Sequence, residues 1–265
     1  MTTLSQPSEH DIPTLSEAAG IRYLHFGTEW IQGAMAVADP PRLVLEYTRQ
    51  MMAWLLFTDP PRAPASIGIL GLGAGSLVRY CLKHTASRVR AVEWNPMVVT
   101  VCQMYFRLPV SSRRLDIVLA DAGDWVGDPA NHGSSPVLMV DLYDAEARGP
   151  VRDSLEFYTH CRQVLGERGI LTVNLFGEHE SFPRNLHHLD LAFDGRVMVL
   201  PEIDAGNRIA LCFAGEPFAC EPDQLLDRAE TVEAKYGLPA RRWARALMRG
   251  AATGGRRGAR ARLQF

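Results

Sequence analysis

The sequence lacks any apolar run long enough to cross a bilayer. Its longest such stretches, Ile67–Gly75 and Val137–Val140, fall far short of the roughly 20 residues a spanning helix needs. Cysteine is sparse, with five residues at 81, 102, 161, 212 and 220. None forms a C-x-x-C pair and none has histidine at zinc spacing, which excludes a disulfide framework, offers no metal site and suits a reducing cytoplasm. Neither sign of charge dominates: 28 Lys and Arg stand against 30 Asp and Glu, for a formal net charge of −2. That balance argues against a protein whose main task is to neutralise nucleic-acid phosphate. The first residues lack the basic start and apolar stretch of a secretory signal, and there is no internal repeat. At 265 residues and 47% hydrophobic, the chain can bury a large core without staples and still hold a ligand cleft.

The rhythm of the chain divides it into five parts. Residues 1–20 alternate Ser, Pro, Glu and Asp without a period that buries a face, and read as a mobile leader. Residues 21–41 carry two β-rich pieces, IRYLHFG and WIQGAMAV, which predict a small hairpin ended by Asp39-Pro40-Pro41. Over 42–220, short apolar runs alternate with amphipathic segments, the pattern of a parallel α/β sheet. Strands are expected at Ser66–Leu72, Arg88–Glu93, Leu115–Ala120, Val137–Leu142, Ile170–Phe176, Val197–Pro201 and Arg208–Ala214. Helices are expected at Leu43–Phe57, Leu77–His84, Pro96–Phe106, Ser154–Leu165 and Phe182–Phe193. The short EIDAGN connection makes the last two strands a hairpin, so the sheet ends antiparallel. This predicts a Rossmann-like, seven-stranded adenosylmethionine-transferase sheet with a small N-terminal β-piece. Residues 221–250 have helical periodicity. Residues 251–265 form a basic tail, GGRRGARAR at its centre, which reads as flexible and solvated or as a contact for an anionic partner such as RNA or lipid headgroups.

Three signals along the sheet describe a nucleoside pocket. Gly71, Gly73 and Gly75 in GLGAGS follow a buried strand and precede a helix, where the backbone can turn tightly and approach a ligand; a turn shaped only by packing would look the same. Glu93 lies 22 residues beyond Gly71 at the end of the next strand, the place of an acid that accepts two ribose hydroxyls, or of a plain capping residue. Asp121 ends the third strand, where it can accept the adenine amino group while Ala122 leaves room for the ring. Asp124 suits the first turn of a following helix.

The fourth strand ends DLYDAEARGP and leads into LEFY. Here the chain resembles the spermidine/spermine synthase family, the polyamine aminopropyltransferases, over roughly residues 21–215. Trp30–Met35 is similar to that family's N-terminal β-piece, with Gln32 at a donor- and substrate-binding position, and Glu46-Tyr47 with Met51 is similar to its Y-x-E-M helix. The resemblance implies transfer of an aminopropyl group from decarboxylated adenosylmethionine to an amine such as putrescine, with no metal, in a cytoplasmic homodimer. Asp141 would position and deprotonate the attacking nitrogen, Asp144 would hold the polyamine's charge, and Tyr47 and Tyr143 would wall the channel or orient the amine by cation–π contact. Asp141 and Asp144 would equally suit a structural turn. One departure stands out: the family's Gly-rich loop carries Asp in G-G-G-D-G, where this chain has Ala74. Loss of that acid leaves two alternatives open, an enzyme using intact adenosylmethionine for methyl or aminocarboxypropyl transfer, and a non-catalytic adenosyl-binding homologue. Asn174, ending the fifth strand, suits the pocket mouth or packing, and His179, His187 and His188 read as surface residues with no metal partners.

Overall fold

The computed structural model describes residues 12–110, 112–144, 149–203, 206–216, 219–254 and 263–264. Two uninterrupted apolar runs lie at its centre, β4 (Ser66–Leu70) and β7 (Val137–Val140), paired in parallel and buried along their whole length. Strands covered on both faces need no polar alternation. Ile67, Ile69, Val137 and Met139 face one core layer, and Leu70, Leu138 and Val140 face the other. Around them the sheet runs in the order β6-β5-β4-β7-β8-β10-β9, with β5 (Arg88–Glu93), β6 (Leu115–Leu119), β8 (Gly169–Phe176), β9 (Val197–Val199) and β10 (Asn207–Ala214). Pairing is parallel from β6 to β8, and β10 is antiparallel to both β8 and β9. The Rossmann-like, mostly parallel sheet with its antiparallel end is thus the one expected, strand for strand to within two residues.

Helices α2 (Ser76–His84), α3 (Pro96–Tyr105), α5 (Leu155–Leu165) and α6 (Phe182–Ala192) link the strands. Local chemistry sets their starts: Asn95 and Ser154 accept hydrogen bonds from Met97 N–H and Phe157 N–H, and Gly75 caps α2 with φ of 71°. The short helix expected from Asp124 is α4 (Ala122–Gly127), which carries Asp124 in its first turn and is capped by Asp121.

Five expectations are corrected. The leader ends earlier than expected, because Thr14–Ala18 forms a strand, β1, and the predicted hairpin is a three-stranded antiparallel sheet, β1-β2-β3, with β2 at Ile21–His25 and β3 at Gly33–Ala36. All five residues of β1 are exposed, so it is held by backbone pairing and leaves no hydrophobic period to read. The single helix expected over Leu43–Phe57 is α1 (Glu46–Met51) followed by a 3-10 turn, Met52–Leu56. Residues 51–56 are buried on every side, so no one-sided period applies there. The C-terminal helices are two, α7 (Pro222–Tyr236) and α8 (Ala240–Gly254), the second running past the point where the tail was to begin. Finally, β11 (Ala219–Cys220) pairs with β12 (Leu263–Gln264), so part of the expected tail is a strand. The arginines of GGRRGARAR lie outside the described residues.

Candidate active site

The strand order places the ends of the strands in a row along one crest: Asp121 after β6, Glu93 at the end of β5, the Gly-rich turn after β4, Asp141 to Asp144 after β7, and Asn174 near the end of β8. Three strand spacings separate β6 from β7, roughly 14 Å. Asn207 joins this row for a topological reason: an antiparallel strand presents its beginning where its parallel neighbours present their ends, and Asn207 is the first residue of β10, paired with Phe176. The crest and the N-terminal sheet enclose a cleft of about 1080 Å³.

The turn after β4 passes so close to the next strand's end that only glycine fits. A Cβ at Gly71, whose φ is 90°, would lie 2.1 Å from the Asp141 carbonyl oxygen. Gly73, with φ of 49°, lies against the Gln32 carbonyl at 3.0 Å by the same measure. Glu93 braces the turn from the side. Its Oε2 accepts from Leu72 N–H at 3.0 Å and its Oε1 from Asn95 N–H at 2.9 Å. Burial raises the Glu93 carboxyl above its ordinary range, opposed by those same backbone donors. Asp121 is already engaged: Oδ1 accepts from Gly123 N–H at 2.7 Å and Asp124 N–H at 3.3 Å, and Oδ2 pairs with Arg152. Burial pushes its carboxyl up, but Arg152 and the two amides outweigh it, and the net shift is downward.

Asp141 forms the centre of the other end. Asn174 Nδ2 donates to its Oδ1 at 2.9 Å and Tyr47 Oη donates to its Oδ2 at 3.2 Å. Burial still raises its carboxyl above the ordinary range, with the two donors pulling the other way. Tyr47 and Tyr143 are driven upward by burial and then by the Asp141 charge, so both stay neutral phenols. Gln32 Nε2 donates to the Asp144 carbonyl at 2.8 Å, tying the N-terminal sheet to the loop after β7.

The cleft thus gathers Gln32, Tyr47, Gly71, Gly73, Glu93, Asp121, Ala122, Asp141, Tyr143 and Asp144. Gly75 is not among its walls and serves as the cap of α2. Ala74 also faces away. It is 2% exposed and packs on the N-terminal sheet, so that a Cβ on Gly33 would come within 2.6 Å of it. Arg79, buried beneath, donates to the carbonyls of Pro40, Ala74 and Phe106 and holds the same joint. Four contributors carry no sequence signal of their own: Arg152, Asn207, and Trp94 and Val151, which complete an apolar rim with Trp30 and Ile31 of the N-terminal β-piece. Each is reached through a loop or a strand pairing that periodicity does not reveal. Six carboxylates and one guanidinium line the cleft among the described residues. No cluster among those residues has the make-up of a metal site.

A Gly-rich turn at the switch between β4 and β7, with an acid at each of the next two strand tips, is the frame of a Rossmann-like transferase fold of the methyltransferase-like kind. The chain belongs to the spermine/spermidine synthase family: the Spermine/spermidine synthase domain model matches residues 45–187. It is 33% identical over 225 residues to a polyamine aminopropyltransferase of Chromobacterium violaceum, covering 84% of each chain. It is 32% identical to one of Neisseria meningitidis serogroup A, covering 88% of each. Among solved structures, a probable spermidine synthase from Corynebacterium glutamicum shares the fold at a TM-score of 0.67 and 20% identity, covering 96% of this chain and 95% of that one. Human methyltransferase-like protein 13, in complex with SAH, does so at 0.65 and 23%, covering 74% and 94%. No helix among the described residues is long and apolar enough to cross a membrane.

Proposed function

We propose that the protein transfers the aminopropyl group of decarboxylated adenosylmethionine to an amine of a polyamine acceptor such as putrescine. The observation that carries this reading is Asp141, a buried carboxylate held by Tyr47 and Asn174 in a cleft lined by acids. An alkylammonium has no lone pair, so a site that uses it must attract a cation and then remove a proton. Asp141 does both. It binds the incoming ammonium and takes its proton, and the freed nitrogen pair forms a bond to the aminopropyl carbon. The bond from that carbon to sulfur breaks, its electrons neutralise the sulfonium, and methylthioadenosine leaves. Proximity supplies most of the acceleration, because the sulfonium is already a good leaving group. Glu93 receives the ribose hydroxyls, Asp121 and Ala122 border the base, and Asp144 and Tyr143 wall the acceptor end.

The charge of the cleft favours the decarboxylated donor over the intact one. Arg152 is its one cation among the described residues and is engaged with Asp121 at the base end. A carboxylate on the donor's propyl arm would meet acids with no counter-charge. Ala74 does not change this, since its side chain is turned to Gly33.

Calorimetric binding of decarboxylated and intact adenosylmethionine, followed by product analysis with putrescine, tests the reading. Decarboxylated donor should bind at least tenfold tighter, and Asp141→Asn should retain donor binding while turnover falls by a factor of about 10³. Tighter binding of the intact donor, or full turnover in Asp141→Asn, would overturn it.

A further inference from the structure

We infer that Asn207 is a positioning residue for Asp141, acting through the amide of Asn174. This rests on the reading of Asp141 as the proton acceptor. Asn174 Nδ2 donates to Asp141 Oδ1 at 2.9 Å, and Asn207 Nδ2 donates to Asn174 Oδ1 at 3.0 Å. The two asparagines lie diagonally across the antiparallel β8–β10 pair, Asn207 opposite Phe176 and Asn174 opposite Ile209, which puts both side chains on one face.

Hydrogen-bond logic gives the chain a direction. An ionised carboxylate only accepts, so Asn174 must turn its NH2 toward Asp141 and its carbonyl away. That carbonyl, on a residue 2% exposed, then needs a donor, and Asn207 supplies it. With Asn207 in place, the reversed Asn174 amide would set two NH2 groups against each other and a carbonyl against a carboxylate. Asn207 therefore selects the amide orientation that serves the ionised form of Asp141. Without it, Asn174 is free to reverse.

The groups facing Asp141 leave the relay a large share of this control. Tyr47 comes from α1, Tyr143 and Asp144 from its own loop, and Asn174 from β8, with Glu46 and Glu93 along the same cleft and Arg152 paired to Asp121 at its far end. The Tyr143 hydroxyl is buried beside Asn207 without a hydrogen bond of normal geometry. No cation among the described residues stands near Asp141 to stabilise its charge, so neutral donors must do so.

The test titrates Asp141 in the resting protein through its 13Cγ shift, assigned by comparison with Asp141→Asn. In Asn207→Leu the Asp141 carboxyl should titrate about one pH unit higher than in the native chain. Asn207→Asp, nearly isosteric and acceptor-only when ionised, should raise it at least as far and serves if the leucine variant does not fold. Activity should follow, with the acid limb of the kcat profile displaced by the same amount and KM for the donor unchanged. In an Asn174→Leu background, Asn207→Leu should add nothing further. An unmoved Asp141 titration, or an undiminished effect of Asn207→Leu in that background, overturns the relay. Full activity in Asp141→Asn would instead sink the catalytic reading and leave the titration result standing on its own.

Discussion

Asp141 shows at the residue scale how a site sets its own conditions. Its carboxyl is raised by burial, which means the folded protein holds that proton to a higher pH than the unfolded chain does. Between the two pKa values the native state binds more protons, so this residue's contribution to stability declines as pH rises through the window and is unfavourable above it. Asp141→Asn removes the charge while keeping an acceptor for Asn174 and a partner for Tyr47. We expect thermal denaturation of that variant at neutral pH to show a gain of about 1 kcal/mol over the native chain. The gain should vanish as pH is lowered through the native Asp141 titration. A variant less stable at neutral pH would contradict the assignment of desolvation as the dominant effect. Under the proposed mechanism catalysis runs the opposite way, because Asp141 would accept a proton only above the same pKa, so activity should be lost as pH falls.

At the scale of elements, the two glycines of the β4 turn have unequal burdens. Gly71 combines φ of 90° with a Cβ position 2.1 Å from the Asp141 carbonyl, a backbone atom that cannot yield without moving β7's end. Gly73 has φ of 49°, within the small left-handed region, and a 3.0 Å approach to Gln32. Gly71→Ala should therefore cost about 3 kcal/mol or more in urea denaturation and displace Asp141, while Gly73→Ala costs about 1. Equal losses in the two variants would show that conformational strain, rather than the close approach to Asp141, sets the cost. The joint between the N-terminal sheet and the Gly-rich turn is built from the same materials, Gly33 against Ala74 and the Ser76 hydroxyl donating to the Ala34 carbonyl at 2.8 Å.

For the molecule as a whole, the N-terminal sheet differs between its two edges. Its inner strand β3 is buried and Gln32, just before it, closes the cleft, whereas β1 stands at the other edge with all five residues exposed and no further strand paired to it among the described residues. An unpaired edge invites pairing with a second copy. Sedimentation velocity is expected to show a homodimer at micromolar concentration, and a monomer across the accessible range would remove this role from β1.

By itself the sequence determined the sheet, its antiparallel end, and the acids at the tips of its strands. Buried strands and one-sided helices write their periods into the chain, and tight turns require glycine at Gly71 and Gly73 wherever they fold. It also placed Tyr47, Asp141 and Asp144 in one site through resemblance. Tertiary structure alone decided what these groups are bonded to. That Asp121 is engaged by Arg152, that Ala74 faces Gly33 instead of the cleft, and that Asn207 stands behind Asn174 all depend on contacts between residues 31 to 41 positions apart. Such contacts leave no period behind. Strand β1 escaped for a related reason, since backbone pairing without a buried face costs the side chains nothing they must record.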